Sequence, residues 1–274
     1  MDSVLSSWQS VVGTLIFIII GYLIGSFNMG QILSRQKNYD LGKRGSKNYG
    51  ATNAGRIFGR TGFILVFSFD FLKGIFAALL FTFLAEFIGT QYGVRIFTDA
   101  SICIALLFVL IGHCWPVYFK FKGGKGVATA FGIFTVLNFF FSALGGLFFL
   151  LAFYLTNKKV FIASILSTFF VACLLVMQIY IDTFDAITFD WTENWDLIFL
   201  GFSISALVTL RHYKNIKSFL NHENKNEIIE ITELKKIKNH KNKNEKIEII
   251  EPKKSKVYKN KYKKAKIIKS KKRK

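Results

Sequence analysis

Three segments rich in glycine and polar side chains hold the residues whose types and spacing could do chemistry. The first, GSKNYGATNAGRIFGR, runs from Gly45 to Arg60 and contains Arg56. A guanidinium is a planar fork suited to phosphate oxygens, and glycine lets the backbone approach a ligand closely. The segment therefore predicts an anion site, with a solvated loop between helices as the alternative, because turns use the same residues. Its neutral candidates are Ser46, Asn48, Gly50, Thr52 and Asn53.

The second segment, FKFKGGKGVATA, runs from Phe119 to Ala130 and places a glycine cluster directly before a predicted helix. Backbone N–H groups and the positive dipole end at a helix start both favour a phosphate, and lysines add full charges. It is not a Walker A loop, because Phe119 stands where the first glycine belongs and Gly126 follows Lys125 in place of Ser or Thr. ATP hydrolysis is therefore disfavoured, and the alternative interpretation is ordinary positive charge at a cytoplasmic helix end. The candidates are Lys122, Gly123, Gly124, Lys125 and Gly126.

The third segment, RHYKNIKSFLNHE, follows the last apolar stretch and begins at Arg211. His212 and Asn215 are three residues apart and share one face of a helix. A lone histidine here is more often a capping or interfacial residue, so its interest lies in sharing a predicted membrane side with the other two segments. Asp70 and Lys73 are also three residues apart, within an apolar stretch. Charges there are costly, and either serve a site or form a structural ion pair.

Long apolar stretches must position these segments, since 51% of the 274 residues are hydrophobic and the mean hydropathy is +0.35. Stretches of about 20 apolar residues predict membrane-spanning helices and argue against a soluble globule. No basic residue precedes the first stretch, which favours a retained helix over a cleaved signal peptide. Gly21 and Gly25 within it form a GxxxG pattern typical of helix packing. The predicted single spans are residues 11–29, 63–88, 100–119, 160–181 and 196–210.

The distribution of basic residues decides how the stretch 127–156 crosses the membrane. A single crossing would put Lys158 and the basic tail outside, against the positive-inside rule. Two short crossings broken near Asn138 leave every basic residue except Lys73 and Arg95 on the cytoplasmic side. The prediction is an all-α polytopic integral membrane protein with seven transmembrane helices, an external amino terminus and a cytoplasmic carboxyl terminus. All three polar segments then lie on the cytoplasmic side of the plasma membrane.

The chain is predicted to divide into a transmembrane part, residues 1–225, and a basic low-complexity tail, residues 226–274. Much of the net charge of +20 lies in the tail, whose Lys, Asn, Ile and Glu composition is typical of disorder. Its cations predict contact with anionic lipid or another polyanion, and it has too few aromatics for a specific nucleic-acid binder. The cysteines Cys103, Cys114 and Cys173 have no CxxC spacing, so neither a disulfide framework nor a metal site is expected. We expect no cofactor.

Four motifs together, GSKNYGATNAGR, DFLKG, GHCWPVYFKFKGGKGVAT and RHYKNI, resemble the bacterial acyl-phosphate:glycerol-3-phosphate acyltransferase family of the PlsY type in order and spacing. The resemblance covers residues 10–223. It implies transfer of a fatty acyl group from acyl phosphate to the 1-hydroxyl of glycerol 3-phosphate, which gives lysophosphatidic acid and phosphate at the first step of bacterial phospholipid synthesis. The sequence departs from the family pattern at Asn28, where proline is usual, and at Lys47, where glycine is usual. It departs again near the end of the third segment. His222 stands where the family has glycine, and Glu223 lies one residue earlier than the glutamate of the family.

The resemblance also implies roles for the candidates. Charges and hydrogen bonds from the polar segments would neutralise the leaving phosphate of a mixed anhydride, while the acyl chain stays in the bilayer. The other large class of glycerolipid acyltransferases uses a histidine with an aspartate five positions later, and no histidine here has one. The proton acceptor is therefore either His212 or a substrate phosphate. The implied catalytic residues are Ser46, Arg56, Lys125, His212 and Asn215. The implied substrate-binding residues are Asn48, Gly50, Thr52, Asn53, Lys73, Lys122, Gly123, Gly124 and Gly126.

A transporter for a phosphorylated metabolite is the main alternative, because a membrane bundle with phosphate-binding loops serves either purpose. A transporter typically has its site near the membrane midplane and contains internal repeats. The three polar segments lie instead at predicted cytoplasmic ends of helices, and the two halves of the sequence show no repeat. The acyltransferase is therefore the favoured interpretation.

Overall fold

The computed structural model describes residues 2–92, 97–178 and 195–221. Two compact units divide the chain, Met1–Lys214 and Asn215–Lys274. Regular structure in the described part of the first unit is helical, including a short 3-10 turn at Val117–Phe119. The α-helices are α1 (Asp2–Ser26), α2 (Met29–Gln36), α3 (Ala51–Tyr92), α4 (Asp99–Cys114), α5 (Val127–Leu137), α6 (Phe139–Leu155), α7 (Val160–Gln178) and α8 (Trp195–Arg211). In the second unit, residues 215–221 are helical.

Four stretches of helix are long and apolar enough to cross a membrane, within the described residues. They are Trp8–Gln36, Ala51–Gln91, Asp99–Phe119 and Val160–Met177, whereas α5 and α6 are shorter apolar helices. Large apolar side chains of α1, such as Leu15, Ile16 and Ile19, are exposed, as lipid-facing residues are. The all-α prediction is confirmed, while the count of seven crossings and the orientation of the termini stay predictions.

Helix α1 packs along α4 through glycines at the crossing. A Cβ at Gly21 or Gly25 would overlap the backbone carbonyl of Ala105 or Val109 in α4. Gly112 of α4 makes the same kind of contact in the other direction, since a Cβ there would overlap the carbonyl of Tyr22 in α1. Such close backbone contact is possible only for glycine, so the predicted packing role of the GxxxG pattern is confirmed.

Helix α3 is interrupted at Gly59, whose φ of 72° and ψ of −165° are not helical. Glycine populates positive φ at little cost, so the chain can stop one helix and start another there. Residues 51–58 therefore form a short helix of their own before the long apolar part of α3. No helix was expected over this part of the first polar segment, because its residues are typical of turns, and the structure corrects that expectation.

Helices α5 and α6 share Asn138 as the end of one and the start of the other. Its backbone is extended, with φ −157° and ψ 103°, and its side-chain Oδ1 accepts from the N–H of Phe141 at 3.0 Å. The hydroxyl of Ser142 lies 3.0 Å from that of Thr135 and donates to the carbonyl of Phe131 at 3.3 Å. Helix α6 thus folds back along α5, and the predicted break near Asn138 is confirmed.

Candidate active site

The first polar loop is organised around the buried side chain of Asn53, which is 1% exposed. Its Nδ2 donates to the carbonyls of Leu41 at 3.0 Å, Arg44 at 3.0 Å and Asn48 at 2.9 Å. Its Oδ1 accepts from the backbone N–H of Ser46 at 2.8 Å. Because the amide is engaged by the loop backbone on both sides, Asn53 holds the loop in shape.

The other candidates of the first polar segment differ in how exposed they are. Ser46 and Arg56 are exposed, while Asn48, Gly50 and Thr52 are half-buried. The loop thus presents the predicted hydroxyl and guanidinium, while Asn53 lies beneath them.

The carboxylate of Asp40 also holds the first polar loop together, by accepting two hydrogen bonds. The hydroxyl of Tyr49 donates to Asp40 Oδ1 at 2.7 Å, and the N–H of Gly42 donates to the same oxygen at 2.8 Å. The bond from Tyr49 lowers the pKa of the Asp40 carboxyl. Burial, aided by that carboxylate, raises the pKa of Tyr49 to about 12. At neutral pH Asp40 is therefore ionised and Tyr49 is protonated, so the hydrogen bond between them is kept.

The glycine loop, residues 123–126, lies between the end of α4 and the start of α5. The N–H of Gly124 donates to the carbonyl of His113 at 3.1 Å, and a Cβ at Gly124 would overlap the His113 ring. Gly126 has φ +84° and is the N-cap of α5, without a side chain to cap the helix. The first N–H groups of α5 are therefore free of side-chain capping, and the positive end of the helix dipole faces the loop.

Arg211, at the end of α8, holds the glycine loop from its other side. Its Nη2 donates to the carbonyl of Gly124 at 2.8 Å and to that of Gly123 at 3.4 Å, and its Nε donates to Gly124 at 3.1 Å. The guanidinium also stacks over the ring of Trp115, 4.8 Å from its centroid. From the sequence, Arg211 was recognised only as the first residue of its motif, without a role in the site.

Lys125 lies in a cluster of positive charge. Burial, followed by the neighbouring charges of Arg211 and Arg56, lowers the pKa of its ammonium to about 8. No carboxylate of the described residues is among the groups that shift this pKa. A phosphate placed here would neutralise the cluster and favour the protonated lysine.

His212 lies beside this cluster with only 3% of its surface exposed. Its Nδ1 lies 2.8 Å from the carbonyl of Val208. A carbonyl only accepts, so Nδ1 carries the proton and Nε2 keeps a lone pair. Burial and the charge of Lys125 lower the pKa of His212 to about 4. The imidazole is therefore neutral at pH 7 and has a ring nitrogen able to take a proton.

Lys73, predicted to contact substrate, lies in the protein interior. Its Nζ lies 3.1 Å from Asp70 Oδ1 and donates to the carbonyls of Gly25 at 3.1 Å and Phe27 at 2.7 Å. It is 7% exposed. This placement fits the structural ion pair that the sequence left open as an alternative.

The remaining candidates lie at the edges of this arrangement. Lys122 is exposed, and its backbone carbonyl accepts from the side-chain amide of Gln31. Asn215 belongs to the second unit, where it is half-buried in a helical segment. His222 and Glu223 lie outside the described residues. The structure thus brings Arg56, Lys125 and His212 into one electrostatic cluster beside the glycine loop.

Comparison with known proteins gives one consistent result. The model of the family described as glycerol-3-phosphate acyltransferase matches residues 15–222. A glycerol-3-phosphate acyltransferase of Mycoplasma mobile is 34% identical over 222 residues, covering 76% of this chain and 90% of the relative. One of Aquifex aeolicus is 34% identical over 211 residues, covering 75% and 95%.

Two solved structures are also similar. Both are crystal structures of PlsY (YgiH), an integral membrane glycerol 3-phosphate acyltransferase, one in a glycerol 3-phosphate form and one in a lysophosphatidic acid form. Their TM-scores are 0.61 and 0.60 at 32% identity, and the similarity covers 76% of this chain and 92% of each solved chain. Fold and sequence motifs therefore point to the same relatives.

Proposed function

Because the chain belongs to the glycerol-3-phosphate acyltransferase family of integral membrane enzymes, we propose that it takes its acyl group from an acyl phosphate. The enzyme acylates glycerol 3-phosphate and is a multi-pass membrane protein. The alternative of a transporter for a phosphorylated metabolite finds no support among these relatives. The donor, the residue roles and the membrane orientation given below are our proposals.

The unneutralised positive cluster around Lys125 carries the proposal. Arg56 and Arg211 both lie close enough to lower the pKa of the lysine, and the glycine loop adds the N-terminus of α5. Both acyl phosphate and glycerol 3-phosphate carry a phosphate group, and such a cluster is stabilised when an anion occupies it. A thioester donor would not bring a phosphate to the reacting carbon.

The chemistry is an acyl transfer between two oxygens. The 1-hydroxyl oxygen of glycerol 3-phosphate attacks the carbonyl carbon of the acyl phosphate and forms the ester bond. The bond from that carbon to the phosphate oxygen breaks, and phosphate leaves with the electron pair. Lys125, Arg56 and the backbone N–H groups at the start of α5 would stabilise the developing charge. A mixed anhydride is already activated, so the step uses no cofactor.

The hydroxyl proton has two candidate acceptors, Nε2 of His212 and an oxygen of a substrate phosphate. The first is supported by the bond from Nδ1 to Val208, which leaves Nε2 unprotonated. We propose His212 as the acceptor. The low pKa of His212 would rise once a phosphate neutralises the nearby lysine, which brings the base closer to the working pH.

The remaining candidates take binding roles in this proposal. The exposed Ser46 and the half-buried Asn48 and Thr52 would supply hydrogen bonds to substrate, and Gly50 would allow its close approach. Gly123, Gly124 and Gly126 belong to the glycine loop, and Lys122 directly precedes it. The N–H of Gly124 already donates to His113, so the other N–H groups of the loop and of the start of α5 would bind phosphate. Asn53 holds the first loop in shape.

We propose seven crossings for the membrane part, residues 1–225, with the amino terminus outside and the active site on the cytoplasmic side. The fold-back at Asn138 supports two short passes where the sequence is ambiguous. The tail, residues 226–274, would be cytoplasmic and attracted to anionic lipid.

A donor assay tests the proposal directly. The purified full-length chain is incubated with glycerol 3-phosphate and, in parallel, with palmitoyl phosphate, palmitoyl-CoA or palmitoyl acyl carrier protein, and lysophosphatidic acid is quantified. We expect product from palmitoyl phosphate at a far higher rate than from either thioester, and loss of that product in Arg56→Ala. Equal rates with the three donors would contradict the proposal.

A further inference from the structure

A buried triad of Asp70, Lys73 and His113 lies below the glycine loop. Asp70 is 2% exposed, Lys73 7% and His113 3%. Lys73 Nζ lies 3.1 Å from Asp70 Oδ1 and 2.9 Å from His113 Nδ1, and His113 Nδ1 lies 3.4 Å from Asp70 Oδ1. The three side chains come from two helices, α3 and α4. A charged pair and an imidazole thus share one enclosed site.

The contacts of the ammonium fix the state of the imidazole. Lys73 has carbonyl oxygens and a carboxylate around it, so it is protonated and acts only as a donor. His113 Nδ1 therefore accepts, and the ring proton is on Nε2. That edge of the ring lies where a Cβ of Gly124 would be. The His113 ring is the reason that residue 124 must be glycine.

The triad joins two parts of the molecule that border the site. Lys73 donates to the carbonyls of Gly25 and Phe27, at the end of α1 and just beyond it. His113 contacts Gly124 with its ring and accepts the N–H of Gly124 at its backbone carbonyl. Since Arg211 binds the carbonyl of Gly124 from the other side, the glycine loop is fixed on both faces.

We propose that Asp70, Lys73 and His113 are positioning residues that set the glycine loop for phosphate binding, with His113 acting through Gly124. The triad is charged, buried and not in contact with the exposed candidates, so it would act on the loop and not on the substrate. This inference rests on the proposed function, in which the glycine loop binds a substrate phosphate.

The test compares two variants of His113, each of which keeps a polar group at the position of one ring nitrogen. Glutamine keeps a polar group at the position of Nε2, against Gly124, whereas asparagine keeps one only at the position of Nδ1. The readout is the dissociation constant of inorganic phosphate for the purified full-length protein, measured by isothermal titration calorimetry. We expect about a tenfold or greater loss of affinity in His113→Asn, the scale of losing one hydrogen bond to a charged group. His113→Gln should stay close to wild type.

A second pair of variants tests the contact with Gly124. In Gly124→Ala the methyl group would collide with the ring, and phosphate affinity should fall. In His113→Asn/Gly124→Ala the space left by the shorter side chain receives the methyl, so affinity should recover toward the wild-type value relative to Gly124→Ala. Additive losses in the double variant would overturn the proposed route through Gly124.

The charged pair is tested with Asp70→Asn/Lys73→Met, which leaves no unpaired charge in the interior and so avoids the main cause of misfolding. Phosphate affinity should fall in this variant, while Ser167→Ala, a buried polar substitution on α7, should leave it unchanged. An irreversibly misfolded fraction lowers the stoichiometry of the titration and leaves the dissociation constant unchanged. The dissociation constant is therefore compared between variants whose thermal unfolding shows that they are fully folded at the temperature of the titration.

The two proposals fail in different ways. Wild-type phosphate affinity in both His113→Asn and the Asp70/Lys73 double variant would overturn the positioning role. Absence of acyl-phosphate activity in the wild-type protein, with phosphate affinity responding as expected, would overturn the proposed donor and leave the positioning role standing.

Discussion

Arg211 donates from Nε and Nη2 to the same carbonyl oxygen, that of Gly124, at 3.1 and 2.8 Å. The peptide that joins Gly124 to Lys125 is planar and trans, so its N–H points opposite to this carbonyl. The guanidinium therefore turns the N–H of Lys125 away from α8. The arginine thus orients a hydrogen-bond donor of the proposed phosphate site through the loop backbone.

Arg211→Lys should fail to replace the arginine. A lysine has neither the fork that reaches one carbonyl with two N–H groups nor the flat face that stacks on Trp115. We expect kcat/KM to fall by about tenfold or more, the scale of losing charge-assisted hydrogen bonds to the loop. Lys214→Ala, at an exposed lysine on the same stretch, is the matched control. Full activity in Arg211→Lys would show that the loop is held elsewhere.

Arg56→Ala and Lys125→Ala should each lower turnover by about a hundredfold or more, because each would remove a proposed charge contact to the leaving phosphate. Steady-state kinetics on purified protein measure the effect. Arg60→Ala, an exposed arginine four residues beyond Arg56, should retain near wild-type turnover. If Arg56→Ala and Arg60→Ala behave alike, the phosphate site lies away from the first loop.

The pH dependence of kcat/KM should show an alkaline limb near pH 8. Lys125 is needed in its charged form, and its pKa is lowered to about 8, so the active form is present below that pH and lost above it. In Lys125→Arg the guanidinium keeps its charge, so the limb should move to higher pH or vanish. The same limb in Lys125→Arg would assign it to another group.

The orientation of the α6–α7 connection is testable by labelling. A single cysteine in Lys158→Cys, in a background without the three native cysteines, should react with a membrane-impermeant maleimide only after the cells are opened. Lys158 is exposed at the turn between the two helices. Labelling in intact cells would leave six crossings instead of seven.

Deletion of residues 226–274 should leave turnover within a few-fold of wild type, because every motif of the site ends earlier in the sequence. Salt-sensitive binding to vesicles that contain anionic lipid should weaken, since each basic residue near such a surface contributes roughly 1 kcal/mol. Neutral vesicles serve as the control. Loss of turnover in the folded, truncated enzyme would show that the tail helps to build the site.

The positions of the helices were readable from the sequence, because apolar length, glycine spacing and basic residues act over short distances. The break at Asn138 followed from charge asymmetry. A packing role for Gly21 and Gly25 was also predicted, but their partner α4 was known only from the structure. The helix over residues 51–58 was missed, since its glycines and polar residues are also those of turns.

The inner part of the site was not readable in the same way. Arg211 and Gly124 are 87 residues apart, and nothing local to either indicates the contact. Glycines near a phosphate motif suggest close approach by a ligand, whereas Gly124 is required by the ring of His113. Asn53 looked like a ligand contact because its amide is polar, but the fold directs that amide into its own loop.

The shortness of α5 has a consequence for how substrate reaches the enzyme. Eleven residues of helix span about 16 Å, roughly half of the hydrocarbon thickness of a bilayer. In the proposed seven-crossing arrangement, its start and the glycine loop lie in a recess below the cytoplasmic surface. A lipid donor would then react at the depth where it already resides, without leaving its leaflet. The rate should follow the mole fraction of acyl phosphate in the bilayer and fall on dilution with inert lipid at constant total donor.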